Sequence, residues 1–203
     1  MTPRILLATT NTGKLREIRE LLAGLPIEIS GLEAFPDLSA PEERGATFAE
    51  NARQKALYYA GRTGLTAVAE DSGLEIDALG GAPGVESARY GGVDTTYPEK
   101  FRLIYEALEG IPLQTSPARF VCAVAMAEGD RIRFEATGVV EGAIAPEPSG
   151  SGGFGYDPIF FYPPFNCTLA EVSRERKSQV SHRGAAFRQV RAFLAEQAAP
   201  DRT

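Results

Sequence analysis

The sequence is sparing in the residues that mark several common protein classes. It has two cysteines, Cys122 and Cys167, and one histidine, His182. Neither cysteine has a second Cys or a His nearby in sequence, so the pair reads as two reduced thiols, not a disulfide or zinc site. One histidine also leaves no Ser–His–Asp or Cys–His set to assemble, which disfavours covalent catalysis. Long apolar runs are missing as well. The run from Ile5 to Ala8 follows Arg4 and gives way to Thr9, too short for a signal-peptide core, and nothing approaches a membrane span. The expected address is the cytoplasm, with no membrane partner.

Basic clusters are absent too. The net charge is −6 and the pI about 5.0, with no Lys/Arg-rich stretch of the kind that tracks nucleic-acid backbones. A small anionic substrate stays compatible, because a few local cations or a metal overcome a diffuse negative surface. Lysine itself is scarce: Lys14, Lys55, Lys100 and Lys177 stand against seventeen arginines. An ammonium is a compact point charge that a guanidinium cannot always replace, which singles out these four positions.

What is present is an ordinary globular composition, 43% hydrophobic and 24% charged over 203 residues. That suits one substantial domain, or two lobes sharing a core. No internal repeat or linker divides residues 1–203. Ile5–Ala8 reads as a buried strand, Thr9–Gly13 as a turn, and Leu15, Ile18 and Leu22 recur at helical spacing. Ile27 and Ile29 suggest a second strand, followed by a loop over 31–46. Thr47 and Glu50 form a capping box for a helix to about Gly61. Thr66–Ala69 reads as a strand that ends at Glu70-Asp71-Ser72-Gly73. Thr96 and Glu99 open a further helix, to about Glu109. Ala118–Ala127 and Ile132–Val140 form a hairpin through Gly129-Asp130, and Ile159–Phe161 is a short strand. A third capping box falls at Thr168 and Glu171, and a last helix begins near Ser181. The order predicts an α/β fold with a mixed sheet.

Four segments can carry chemistry. Thr9-Thr10-Asn11-Thr12-Gly13-Lys14 lies between a strand and a helix start, where backbone N–H groups and the helix dipole favour phosphate. It is no Walker A loop, since Ala8 replaces its first glycine and Leu15 follows the lysine. Glu70-Asp71 puts carboxylates at a strand end, hard oxygen donors of the kind Mg²⁺ takes beside a phosphate. Glu42-Glu43 offers a further carboxylate. Gly150–Pro158 combines glycines that let backbone approach a ligand with the stacking face of Phe154 and the acceptors of Asp157. Ser181-His182-Arg183-Gly184 sets two donor side chains at a helix start, just after Lys177. Taken singly, each also fits a bland reading as a cap, a solvated acidic turn, a loop over the core edge, or a structural histidine.

Together they closely resemble the inosine/xanthosine triphosphate pyrophosphatase family. The match runs in order through Ala8–Lys14, Thr47–Ala52 with Lys55, Glu70–Leu74, Leu79–Val85 with Ser87–Tyr90, Gly152–Phe160, and Lys177-Ser178 before Ser181–Gly184. The resemblance implies an elongated mixed β-sheet flanked by helices, two lobes with a nucleotide cleft between them, and a homodimer. It implies hydrolysis of ITP, dITP or XTP to the monophosphate and pyrophosphate by Mg²⁺-assisted attack of water at the α-phosphate. Carried over by position, Thr9, Thr10, Asn11, Thr12, Gly13, Lys14, Lys55 and Lys177 hold the triphosphate. Asp71 is the proton acceptor and a metal ligand, with Glu42 the second metal carboxylate; Glu43 leaves that assignment open by one position. Ser72 touches substrate, Phe154 stacks on the base, and Gly155, Tyr156, Asp157, His182 and Arg183 line its pocket. Thr10 stands where many relatives have Gly or Asn, and Glu70 where many have Asp. The alternatives are a pyrophosphatase for modified pyrimidine or methylated nucleotides, and a nucleotide-binding regulatory protein.

Overall fold

In the computed structural model, which describes residues 2–111 and 116–198, the N-terminal apolar run forms strand β1 (Arg4–Leu7) with Ile5, Leu6 and Leu7 buried. The chain then forms α1 (Thr12–Leu22), β2 (Glu28–Gly31), α2 (Phe48–Thr63) and β3 (Thr66–Ile76). After α3 (Tyr97–Ala107) come the hairpin of β4 (Pro117–Glu128) and β5 (Arg131–Ile144), the short strands β6 (Phe160–Tyr162) and β7 (Cys167–Thr168), and helices α4 (Arg174–Val180) and α5 (His182–Ala198).

The caps at Thr47 and Thr96 fall where the sequence puts them. Asn11 accepts the Lys14 N–H at the start of α1, and Thr47 accepts the Glu50 N–H at the start of α2. Each satisfies a backbone donor that the first helical turn leaves without an intrahelical partner. Thr96 and Glu99 make the capping box of α3.

The seven strands form one sheet in the order β2-β1-β3-β4-β5-β6-β7. β1 runs parallel to β2 and β3, while β5–β6 and β6–β7 are antiparallel, so the sheet is mixed as expected.

Two elements differ from the sequence reading. The strand expected to stop at Ala69 continues as β3 to Ile76. Glu-Asp-Ser-Gly has poor strand propensity, and β1 pairs with β3 only over Thr66–Val68; β4 is the other neighbour of β3, and polar partners receive its acidic side chains. The Thr168/Glu171 pair caps a turn instead of a helix. Glu171 accepts the Thr168 N–H at 2.7 Å, and α4 begins only after Ser173, its true N-cap.

The chain divides into two compact units. The first comprises Met1–Asp71, Cys122–Gly138 and Arg183–Thr203; the second comprises Ser72–Val121 and Val139–His182. The first unit's core gathers Ile5, Leu7, Ile18, Leu22, Val124 and Phe187, among others. The second unit's core is richer in aromatics, with Phe101, Phe120, Tyr156 and Phe160 around Leu74 and Ile104. Phe120 and Phe160 lie 4.4 Å apart between ring centroids. Among the described residues no helix is long and apolar enough to cross a membrane.

Candidate active site

In the first unit the site is built around β3. Consecutive strand residues point to opposite faces, so Glu70 and Asp71 acquire separate surroundings. Glu70 is almost fully buried, and its Oε1 lies 2.6 Å from Lys14 Nζ. Arg183 Nη2 stands 3.3 Å from its Oε2, and the Cys122 thiol donates to the same oxygen at 3.0 Å. Arg183 is also buried, and its Nη1 donates to Glu17 on α1 at 2.8 Å. Burial alone would raise the proton affinity of Glu70, but Arg183 and Lys14 hold its carboxyl well below the usual glutamate range. Burial, and then the adjacent Glu70 charge, push the Cys122 thiol well up.

Asp71 meets a different set. Asn51 Nδ2 donates to its Oδ2 at 3.0 Å, and Lys55 Nζ stands 3.4 Å from its Oδ1. The same ammonium is 3.0 Å from Glu43 Oε1. Burial pushes the Asp71 carboxyl upward and Glu43 adds to that, outweighing the downward pull of Lys55 and Asn51. Burial lowers the proton affinity of Lys55, but Asp71 and Glu43 more than reverse it. Glu42, expected as the second metal carboxylate, faces solvent with its side chain 74% exposed and pairs with Arg44.

Among the described residues no group of three or more His, Cys, Asp and Glu is gathered to hold a metal ion. The donor set nevertheless fits Mg²⁺, which characteristically takes one or two carboxylates and completes its shell with water and substrate phosphate. Asp71 and Glu43, facing one ammonium between them, are such a pair.

The turn before α1 leads into the same unit. Thr9 Oγ1 accepts the Asn11 N–H at 3.2 Å, and Asn11 Oδ1 accepts the Lys14 N–H at 3.1 Å. Thr10, Asn11 and Thr12 are exposed, and Gly13 is the second residue of the helix. Lys14 and Lys55 thus both reach carboxylates of β3.

The second unit holds the remaining sequence candidates. Asp157 Oδ2 accepts the Phe154 N–H at 2.7 Å and binds Lys177 Nζ at 2.6 Å. That ammonium also lies 4.5 Å from the centre of the Phe154 ring. The tight turn requires Gly153: its φ is +69°, and a Cβ there would come within 2.1 Å of the Asp157 carboxylate. Gly155 follows Phe154, and Tyr156 is buried with its hydroxyl donating to Ser87 O at 2.7 Å. The Tyr97 ring meets Tyr156 edge-on at 5.4 Å. His182 stacks on Phe120 at 4.9 Å. Ser72, half-buried, opens this unit directly after Asp71.

Lys14 and Lys55 stand on the β3 carboxylates of the first unit, and Lys177 joins the aromatic–acid loop of the second. His182 and Arg183, adjacent in sequence, have distinct neighbours: His182 has Phe120, and Arg183 has Glu17 and Glu70. Sequence reasoning passed over Asn51 and Glu17. The signal for Asn51 was present. Phe48, Ala52, Ala56 and Tyr59 are buried residues of α2, and at helical spacing the polar Asn51 and Lys55 fall on that same face.

The chain is similar to known proteins along nearly its whole length. Residues 5–193 match the Ham1 family. The dITP/XTP pyrophosphatase of Geobacter sulfurreducens is 46% identical over 91% of this chain and 92% of its own. That of Vibrio vulnificus is 45% identical over 96% and 98%. Among solved structures, a HAM1 protein from Coxiella burnetii superposes with a TM-score of 0.90 at 43% identity, covering 96% of this chain and all of its own. A nucleoside-triphosphatase / dITP/XTP pyrophosphatase from Mycobacterium abscessus gives a TM-score of 0.75 at 39% identity, over 94% and 98%. A family match across nearly the whole length makes this chain a member of the Ham1 family.

Proposed function

We propose that this protein is a pyrophosphatase that hydrolyses non-standard purine nucleoside triphosphates (ITP, dITP and XTP) to the monophosphate and pyrophosphate, and so cleanses the nucleotide pool. The observation that carries this reading is Asp71, buried on β3 with Lys55 and Glu43 on one side and a lysine-bearing helix start in the same unit. A site for binding alone has no use for a buried carboxylate of raised proton affinity beside a second carboxylate.

Asp71 and, of the two adjacent glutamates, Glu43 would hold the metal, Mg²⁺. When bound it supplies positive charge at the phosphates and lowers the pKa of a water. Asp71 accepts a proton as the water oxygen bonds to the α-phosphorus, and the bond from that phosphorus to the bridging oxygen breaks. Pyrophosphate leaves as one anion, its charge offset by Lys14, Lys55 and the N-terminus of α1 at Thr12 and Gly13. Thr9, Thr10 and Asn11 border that anion, and Ser72 touches the substrate beside Asp71.

In the second unit Phe154 stacks on the purine, and Asp157 accepts the ring N–H that the oxo-purines carry. Gly155, Tyr156 and His182 complete the pocket. Lys177, by its place over Phe154, belongs to the base and not to the triphosphate. The working form is a cytoplasmic homodimer with neither nucleic acid nor membrane as partner.

The test is a panel of ITP, dITP, XTP, GTP and ATP with Mg²⁺, in which pyrophosphate and orthophosphate are measured separately. Monophosphate and pyrophosphate from the first three are expected. Diphosphate and orthophosphate would overturn the reading.

A further inference from the structure

Asn51 is fully buried, and both ends of its amide are engaged. Nδ2 donates to Asp71 Oδ2 at 3.0 Å, and Oδ1 accepts the backbone N–H of Gly45 at 2.7 Å. These two bonds fix which way the amide points, because only its nitrogen donates and only its oxygen accepts. Gly45 closes the acidic segment that carries Glu42 and Glu43. A Cβ at Gly45 would come within 2.6 Å of Asn51 Oδ1 and 2.9 Å of the Asn51 backbone nitrogen. The backbone there approaches α2 as closely as a residue without a side chain allows.

We infer that Asn51 is a positioning residue that sets the spacing of Glu43 and Asp71. One short side chain ties the carboxylate on β3 to the backbone two residues beyond Glu43. By occupying Asp71 Oδ2 it also leaves Oδ1 as the oxygen that meets Lys55, whose ammonium also donates to Glu43. Asn51 touches neither substrate nor metal; it acts through Asp71 and the segment that bears Glu43. The inference rests on the proposed metal-assisted hydrolysis and adds to it a residue that governs how the carboxylate pair is held.

Two variants approach the bridge from opposite ends. Asn51→Ala removes both hydrogen bonds, and Gly45→Ala leaves Asn51 in place but pushes on its carbonyl oxygen. Partners behind a metal ligand typically contribute about 10–100-fold to metal affinity. Each variant is therefore expected to weaken Mn²⁺ binding, followed by electron paramagnetic resonance of the free ion without substrate, by about that factor. The Mg²⁺ concentration for half-maximal hydrolysis of ITP should rise in step, and saturating Mg²⁺ should restore most of kcat. The double variant should be no worse than the more affected single, since both act on one bridge. Lower melting temperatures with unchanged Mn²⁺ affinity and Mg²⁺ half-saturation would mean that Asn51 only supports the fold, and would overturn the inference. Full additivity in the double variant would overturn it as well. An unaltered protein that neither binds Mn²⁺ nor releases pyrophosphate would instead overturn the functional reading on which it rests.

Discussion

Glu70 and Asp71 are neighbours on β3, yet among the described residues they share no hydrogen-bonding partner: Glu70 meets Lys14, Arg183 and Cys122, while Asp71 meets Asn51 and Lys55. The alternation of a strand produces this separation from two similar side chains. Glu70 is held ionised by cations; Asp71 is left with a raised proton affinity. The first is suited to hold other groups in place and the second to exchange a proton.

Replacing Asp71 with Asn keeps the size and removes the charge. General-base contributions are typically ~10²–10⁴-fold, and kcat for ITP should fall at least that far at saturating Mg²⁺. The activity of the unaltered protein should also decline as pH falls through a range above that of an ordinary aspartate, because protonated Asp71 cannot accept a further proton. A pH–rate profile of pyrophosphate release reads both effects. Near-normal turnover in Asp71→Asn would show the base to be elsewhere.

Glu70 should contribute to stability with the opposite sense. Its folded proton affinity lies below its unfolded value, so its contribution is fully present above the ordinary glutamate pKa and is lost as pH falls through the lowered folded value. Glu70→Gln leaves Arg183 and Lys14 without their common anion, a change that costs about 3–5 kcal/mol in a buried network. Urea unfolding as a function of pH should show a lower plateau and a shallower acid limb in the variant. An unchanged plateau would mean that the network relaxes without cost.

Arg183→Ala separates two roles for that guanidinium. Bonded as it is to Glu17 and Glu70, its loss should destabilise the fold by a similar amount, about 3–5 kcal/mol. It should then lower kcat/KM on ITP and on ATP by comparable factors. A loss confined to ITP would instead assign Arg183 to the recognition of the base.

The lysines can be sorted with pyrophosphate as a competitive inhibitor. Lys14→Ala and Lys55→Ala should each weaken its inhibition, because both pair with the β3 carboxylates that the proposed reaction sets beside the phosphates. Lys177→Ala should raise KM for ITP and leave pyrophosphate inhibition within about twofold, a free-energy change smaller than one charged hydrogen bond. Equal weakening in all three would return Lys177 to the triphosphate.

Much of this arrangement is legible in the sequence wherever the cause is local. The start of α2 is announced by Thr47 and Glu50, and the glycine-flanked Phe154 and Asp157 do meet through one backbone hydrogen bond three residues long. The continuation of β3 through Glu70 and Asp71 is not legible, since their strand conformation depends on partners brought in by other elements. Glu17 and Arg183 are separated by 166 residues, and a pairing at that distance leaves no pattern in either neighbourhood. Glu42 and Glu43 look alike in the sequence, and only the placement of Lys55, which pairs with Glu43 and Asp71, distinguishes them. For Asn51 the helical period was sufficient, because a polar residue on the apolar face of α2 already asks for a partner.

The buried face of α2 also bears on how such a protein can change over time. Asn51 and Lys55, with Asp71 opposite, occupy interior volume that apolar side chains would fill at less desolvation cost. Selection for heat resistance alone would therefore favour replacing the three together with well-packed hydrophobic residues, giving sturdier descendants with no chemistry left. On an otherwise apolar helix face, these polar groups trade robustness for the turnover that the proposed reaction needs.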